Sequence, residues 1–106
     1  MKAKKYDKLV RDKIPEIIEE DSKNCIIKKV EGKEKLDYLF KKLFEEAQEL
    51  CESKSAEEIA DVQEVLDSIS NELNITKEQL DKIRKQKAES RGTFEKGIVL
   101  LEINQK

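Results

Sequence analysis

Two apolar stripes, on segments 34–53 and 56–73, are separated by a join so short that any helices they form must run back alongside one another. Each stripe keeps the i, i+3, i+4, i+7 spacing of a helix with one buried face. In an antiparallel hairpin, residues that face each other have position numbers with a constant sum. Leu36 with Leu73, Phe40 with Ile69, Leu43 with Leu66, Ala47 with Val62 and Leu50 with Ile59 all share one sum, so the seam is expected along these five pairs.

Four carboxylates use the same hairpin. Glu46 and Glu49 on the first segment, and Glu58 and Asp61 on the second, form two i, i+3 pairs; 46 faces 61 and 49 faces 58, at a sum two units from that of the apolar pairs. The acids are therefore expected beside the seam. Crowded carboxylates raise one another's pKa and destabilise a fold until a cation is bound, so metal-linked stability is expected. Glu45 competes with Glu46 for the site. At about 100° per residue, Glu45 falls nearly opposite the Leu36, Leu43 and Ala47 stripe, while Glu46 lies at its edge beside Leu39 and Leu50. Glu46 is the expected ligand, and Glu45 is a candidate base for an attacking water. Two plainer readings stay open. A capping box with Ser55 accounts for Glu58 alone, and solvated helix surface with partners such as Lys42 to Glu46 accounts for the other three.

The chain contains no histidine, which removes imidazole bases, Ser-His and Cys-His nucleophiles and the usual nitrogen-rich zinc or iron sites. All-oxygen ligation suits a hard cation, Mg²⁺ or Mn²⁺. A pair of such ions would neutralise the acids, grip phosphate oxygens and acidify bound water. Cys25 and Cys51 have neither zinc-knuckle nor C-x-x-C spacing and are expected as reduced core or near-core residues.

With 43% charged and 5% aromatic residues, the composition suits amphipathic helices with wet outer faces, and the paired seam argues against disorder. A single domain of 106 residues buries roughly 60 to 70% of its unfolded surface. Helices this thin are expected to oligomerise, with a homodimer favoured. A net charge of −2 creates no global field for nucleic acid or an anionic membrane. Residues 1–12 lack an apolar leader core and no run reaches membrane-spanning length, so a cytoplasmic location is expected.

Along the chain, segment 6–20 opens with a basic cluster and continues as a short helix with Pro15 in its first turn. Segment 25–30 is β-branched, and segment 97–103 carries Ile98, Val99, Leu100, Leu101 and Ile103, so the two are expected to form a small β ribbon. Ser55 with Glu58, and Thr76 with Gln79, mark helix starts, and Gly92 marks a stop. The expected fold is mainly α: the antiparallel hairpin, a third helix over 76–91 that covers the site, completion of the bundle by dimerisation, and a two-stranded ribbon. Arg84, Lys87 and Arg91 share one face of the third helix and suit phosphate oxygens; stabilisation of the helix C-terminus is the alternative. Arg11 and Lys13 are further candidate phosphate contacts, with an Arg11–Asp12 ion pair as the alternative. Tyr6, Tyr38 and Phe94 are candidates for stacking on a base, and Phe40 and Phe44 for packing.

Glu45, Glu46, Ala47, Gln48 and Glu49, followed by Glu58, Ile59, Ala60 and Asp61, resemble the E-E-x-x-E and E-x-x-D motifs of the MazG-type all-α nucleoside triphosphate pyrophosphohydrolases. Segment 6–18 (YDKLVRDKIPEII) and segment 87–94 (KAESRGTF) resemble the phosphoribosyl-ATP pyrophosphohydrolase-like subgroup, so that nearly the whole chain is covered. The resemblance implies Mg²⁺-dependent hydrolysis between the α and β phosphates of a nucleotide, with Glu46, Glu49, Glu58 and Asp61 as ligands. Two departures bear on substrate grip: a shorter gap between the acidic motifs, and Gly97 where the subgroup often has a basic residue. A non-catalytic helical module that binds a nucleotide or protein is the alternative from a different class. A carboxylate metal bundle without a nucleotide substrate is disfavoured, since such iron sites usually add Glu-x-x-His motifs.

Overall fold

Pro15 stands in the first turn of α1, Ile14–Glu20, where a missing N–H goes unnoticed because the first turn's donors have no helical partner. The computed structural model describes residues 3–105 and continues with α2 (Gly32–Ser53), α3 (Ala56–Glu72) and α4 (Lys77–Arg91). Met1 and Lys2, in the lysine-bearing start of the chain, and Lys106 lie outside the described residues. Among the described residues no helix is long and apolar enough to cross a membrane.

The join between α2 and α3 turns on Lys54, whose backbone is left-handed (φ 52°, ψ 38°). Its N–H donates to the Leu50 carbonyl at 2.8 Å, and its Nζ donates to the Cys51 carbonyl at 2.8 Å, so a non-glycine residue closes the helix and satisfies two of its last acceptors. Ser55 then caps α3 by accepting the Glu58 N–H at 3.2 Å. Thr76 and Gln79 form both arms of a capping box at the start of α4, with bonds of 3.2 and 2.8 Å. Gly92, at φ 83°, ends α4 with its N–H on the Ala88 carbonyl, a conformation for which glycine carries no Cβ penalty.

Helices α2 and α3 pack on each other, and Lys35 Nζ meets a Glu72 oxygen at 3.0 Å across the pair. Positions 35 and 72 add to the same total as 46 and 61, so the antiparallel register follows the carboxylates. The buried line is Leu39, Val65 and Ile69, with Leu9, Leu36 and Leu43 packed against it. This rotates the seam from its expected position. Ile69 is buried and Leu43, Ala47, Leu50 and Val62 are half-buried, whereas Phe40, Ile59, Leu66 and Leu73 lie exposed on one flank. Two packed helices bury only a narrow line on each, and a broad apolar stripe leaves open which of its edges faces inward.

The expected β ribbon is absent. Segments 25–30 and 97–103 have no regular secondary structure and form no strand among the described residues, and Ile26, Ile98, Leu101 and Ile103 are almost fully exposed. β-Branched composition measures fit to a half-buried pleated surface rather than an intrinsic preference, and a lone two-stranded ribbon is marginal in water. The two segments also belong to different compact units, one ending at Asn74 and the other beginning at Ile75. The first unit holds α1 and the hairpin. The second holds α4, none of whose residues is buried, and the irregular segment after it. Cys25 is half-buried and Cys51 exposed, both with free thiols, so the core placement expected for Cys51 does not hold.

The rotated seam has a measurable consequence. Leu39→Ala removes a side chain that is 3% exposed and is expected to cost about 2–5 kcal/mol in urea unfolding. Phe40→Ala removes a larger side chain, but one that is 40% exposed, and is expected to cost less in dilute protein.

Candidate metal centre

Residues 39, 43 and 46 recur at i, i+4 and i+7 along α2, so the turn after Leu39 and Leu43 delivers Glu46 into the same inward line. Glu46 is only 6% exposed. On α3, Glu58, Asp61 and Val65 follow at i, i+3 and i+7, placing two acids ahead of the apolar residues on the facing line. One carboxylate oxygen from each of Glu46, Glu58 and Asp61 lies within 4.8 Å of the other two, a separation that a single divalent cation can span. The acids thus occupy the seam itself rather than its border. Glu49 is exposed and outside this triangle, though close enough for Glu46 and Glu58 to feel its charge.

Glu46 Oε2 and Glu58 Oε2 are buried and accept no hydrogen bond. A carboxylate oxygen without water or a donor is strongly disfavoured, and two remedies exist: a proton or a cation. The first is visible in the electrostatics. Burial, followed by the close approach of the Glu46 carboxylate and by repulsion from Glu49, Glu46 and Asp61, raises the Glu58 pKa from the ordinary 4.5 to about 7. The charge of Glu46 likewise pushes Glu49 up, with smaller contributions from desolvation and Glu45 and with Lys42 opposing. The second remedy fits the donor set, which is wholly oxygen and suits Mg²⁺ or Mn²⁺.

Three bases edge the triangle. Lys42 Nζ lies 3.3 Å from Glu46 Oε1 and 3.7 Å from Glu45 Oε1, so the i, i+4 pair considered from sequence does form. It leaves the second Glu46 oxygen unpartnered. Lys8 Nζ contacts Glu45 at 3.4 Å, and Arg11 donates to Asp61 Oδ1 at 2.7 Å. Arg11 thus pairs with Asp61 on α3 rather than with its neighbour Asp12. Glu58 uses its backbone, not its carboxylate, to meet Ser55, so capping does not employ the side chain.

Sequence reasoning missed what holds Lys8 and Arg11 there. Residues 7–11 form a strap without regular secondary structure: Asp7 accepts from the Tyr38 hydroxyl, Leu9 packs on the Leu39, Val65 and Ile69 cluster, and Arg11 reaches Asp61. The Asp7 bond also raises the Tyr38 pKa and commits this ring's hydroxyl to the fold. The period-two spacing of Asp7, Leu9 and Arg11 was the available signal, too short to stand out in a segment with lysines on both sides. Lys13 is the N-cap residue of α1 and forms no ion pair with the triangle among the described residues. Tyr6 and Phe94 are exposed, with Lys4 and Lys8 over the Tyr6 ring. In the second unit, Arg84 and Lys87 line a shallow groove with Thr93 and Phe94, and Arg91 ends α4.

No protein-family model, curated protein or solved structure matches the chain.

The raised Glu58 pKa sets a pH dependence. Between pH 4.5 and about 7 the folded protein keeps a proton that the unfolded chain has lost, so raising the pH through this window favours unfolding. Glu49 acts in the same direction. In chelator, the melting temperature is expected to fall as pH rises across the window, and Glu58→Gln to flatten the slope in the same thermal scans.

Proposed function

We propose that this protein is a Mg²⁺-dependent nucleotide pyrophosphohydrolase, cleaving a nucleoside triphosphate or related nucleotide between its α and β phosphates to a monophosphate and pyrophosphate. A role in clearing unwanted nucleotides from the cytoplasm belongs to the same reading. The observation that carries it is the pair of buried, unpartnered oxygens on Glu46 and Glu58, within a carboxylate triangle closed by Asp61. The resemblance of the acidic, N-terminal and late basic motifs to the MazG-type enzymes supports the choice of substrate class.

Glu46, Glu58 and Asp61 would hold the cation, with Glu49 beside them as a further ligand. Such an ion supplies charge for phosphate oxygens and acidifies water for attack at neutral pH. The remaining chemistry falls to the chain. Glu45, held at the margin by Lys8 and Lys42, would accept the proton of the attacking water. Arg11 and Lys8 bring positive charge to the edge where an anionic substrate would approach. Arg84, Lys87 and Arg91 enter through their charge and their common face of α4, and Lys13 through charge alone.

The reading includes a homodimer. Phe40, Phe44, Leu66 and Leu73 leave an apolar flank of the hairpin exposed, with Phe44 77% accessible, and contiguous patches of this kind mark association surfaces. Light scattering is expected to return twice the chain mass, and Phe44→Glu with Leu66→Glu to return a single chain mass with helical content retained.

The alternative is a non-catalytic module that binds a nucleotide or protein. It draws on the three bases, which partly neutralise the acids without a metal. One assay separates the two. With a panel of nucleoside triphosphates and Mg²⁺, pyrophosphate release is expected, reduced by about 100-fold or more in Glu46→Gln or Asp61→Asn. No turnover of any nucleotide, with a melting temperature indifferent to Mg²⁺, would exclude the enzyme.

A further inference from the structure

Arg11 and a cation in the carboxylate triangle have claims on the same residue. The guanidinium donates to Asp61 Oδ1 at 2.7 Å, and Asp61 also supplies one corner of the triangle. Arg11 is otherwise well exposed, its side chain keeping 57% of its accessible surface, and the described structure gives it no second acceptor. Its backbone, by contrast, is fixed from the N-terminal side: Leu9 packs on the buried cluster and Asp7 accepts the Tyr38 hydroxyl. The head of Arg11 can therefore leave Asp61 while the strap stays in place.

The other two bases are arranged differently. Lys42 is largely covered and spans Glu45 and Glu46, and Lys8 touches Glu45, which lies outside the triangle. Arg11 alone of the three pairs with Asp61, whose two faces would then carry a guanidinium and a divalent cation. Like charges sharing one carboxylate repel, and the doubly charged ion also draws on the unpartnered oxygens of Glu46 and Glu58. The exchange favours the metal.

We propose that Arg11 is a displaceable internal counter-ion: it holds Asp61 in the metal-free protein, yields that carboxylate when a divalent cation enters, and is then held at the site's rim as a donor for an anionic ligand. This rests on the metal-site reading above, and it makes cation entry and the exposure of an anion-binding arginine one event. A guanidinium engaged by a carboxylate is a poor receptor for phosphate; once released, its fork of N–H donors is available.

The test is metal binding, independent of turnover. Mn²⁺ affinity is measured by electron paramagnetic resonance for the wild type, Arg11→Gln, Arg11→Lys and Lys8→Gln, with circular dichroism to verify folding. Arg11→Gln is expected to bind about two- to fivefold more tightly, the size of a partly exposed ion pair. Arg11→Lys is expected to fall between it and the wild type, and also serves if the glutamine variant does not fold. Lys8→Gln removes the same charge from the same strap without touching Asp61 and is expected to change affinity less. In the wild type, the Arg11 Nε–H resonance is expected to shift on Mg²⁺ addition. Unchanged or weaker Mn²⁺ binding in Arg11→Gln, an equal effect of Lys8→Gln, or an unmoved Arg11 resonance at saturating Mg²⁺ overturns the exchange while leaving the site intact. A wild type that binds no Mn²⁺, or a Glu58→Gln variant that binds as well as wild type, removes the site and the exchange together.

Discussion

Glu46 is the side chain on which the arrangement of the hairpin turns. A carboxylate buried between two helices is disfavoured unless its charge is removed or answered, and every neighbouring feature addresses that problem. Lys42 answers one oxygen from the next turn of the same helix. Glu58 relieves the other side by retaining a proton to nearly neutral pH. Apolar residues of the same two faces, Leu39, Val65 and Ile69, supply the stabilisation against which this strain is set. Buried apolar residues and acids share one seam, so a cation that satisfied the acids, as proposed, would also tighten the hairpin.

Around that seam, the strap at residues 7–11 works as a third layer, although it is too short and too irregular to be an element. It carries one apolar anchor, Leu9, and two bases directed at acids on different helices, Lys8 at Glu45 on α2 and Arg11 at Asp61 on α3. The exposed ion pairs add little stability by themselves. Their consequence is positional: they set positive charge at the rim of a negative cluster. In the proposed reading a polyanionic ligand would meet this rim beside its cation, without a histidine.

How legible this was depended on which physical rule governed each part. Helix ends followed local chemistry: Pro15, Ser55, Thr76 and Gly92 each act within a few residues of themselves, and each stands where its chemistry placed it. The left-handed turn at Lys54 was not legible, because the usual glycine is replaced by a residue whose own Nζ helps cap the helix. The strands at 25–30 and 97–103 were expected from β-branched composition. They failed because a strand needs a partner that composition does not supply. Register set Glu46 opposite Asp61 but also paired Glu49 with Glu58, whereas the structure gathers Glu46, Glu58 and Asp61 and leaves Glu49 exposed; the Arg11–Asp61 pair links residues 50 positions apart and has no periodic signal.

The sequence by itself determined the antiparallel course of the hairpin, since two amphipathic helices joined by so short a turn must run back alongside one another, but it offered two sums for the facing residues, one from the apolar pairs and one from the carboxylates. It also excluded imidazole ligands from any site, through the absence of histidine. Only the tertiary structure decided which edge of each apolar stripe turned inward, and with it that the acids lie in the seam rather than beside it. A helix's period fixes which residues share a face, but the burial of Leu39, Glu46 and Val65 in place of Phe40 and Leu66 reflects a rotation of both helices together, set by the combined packing of two helices and the strap.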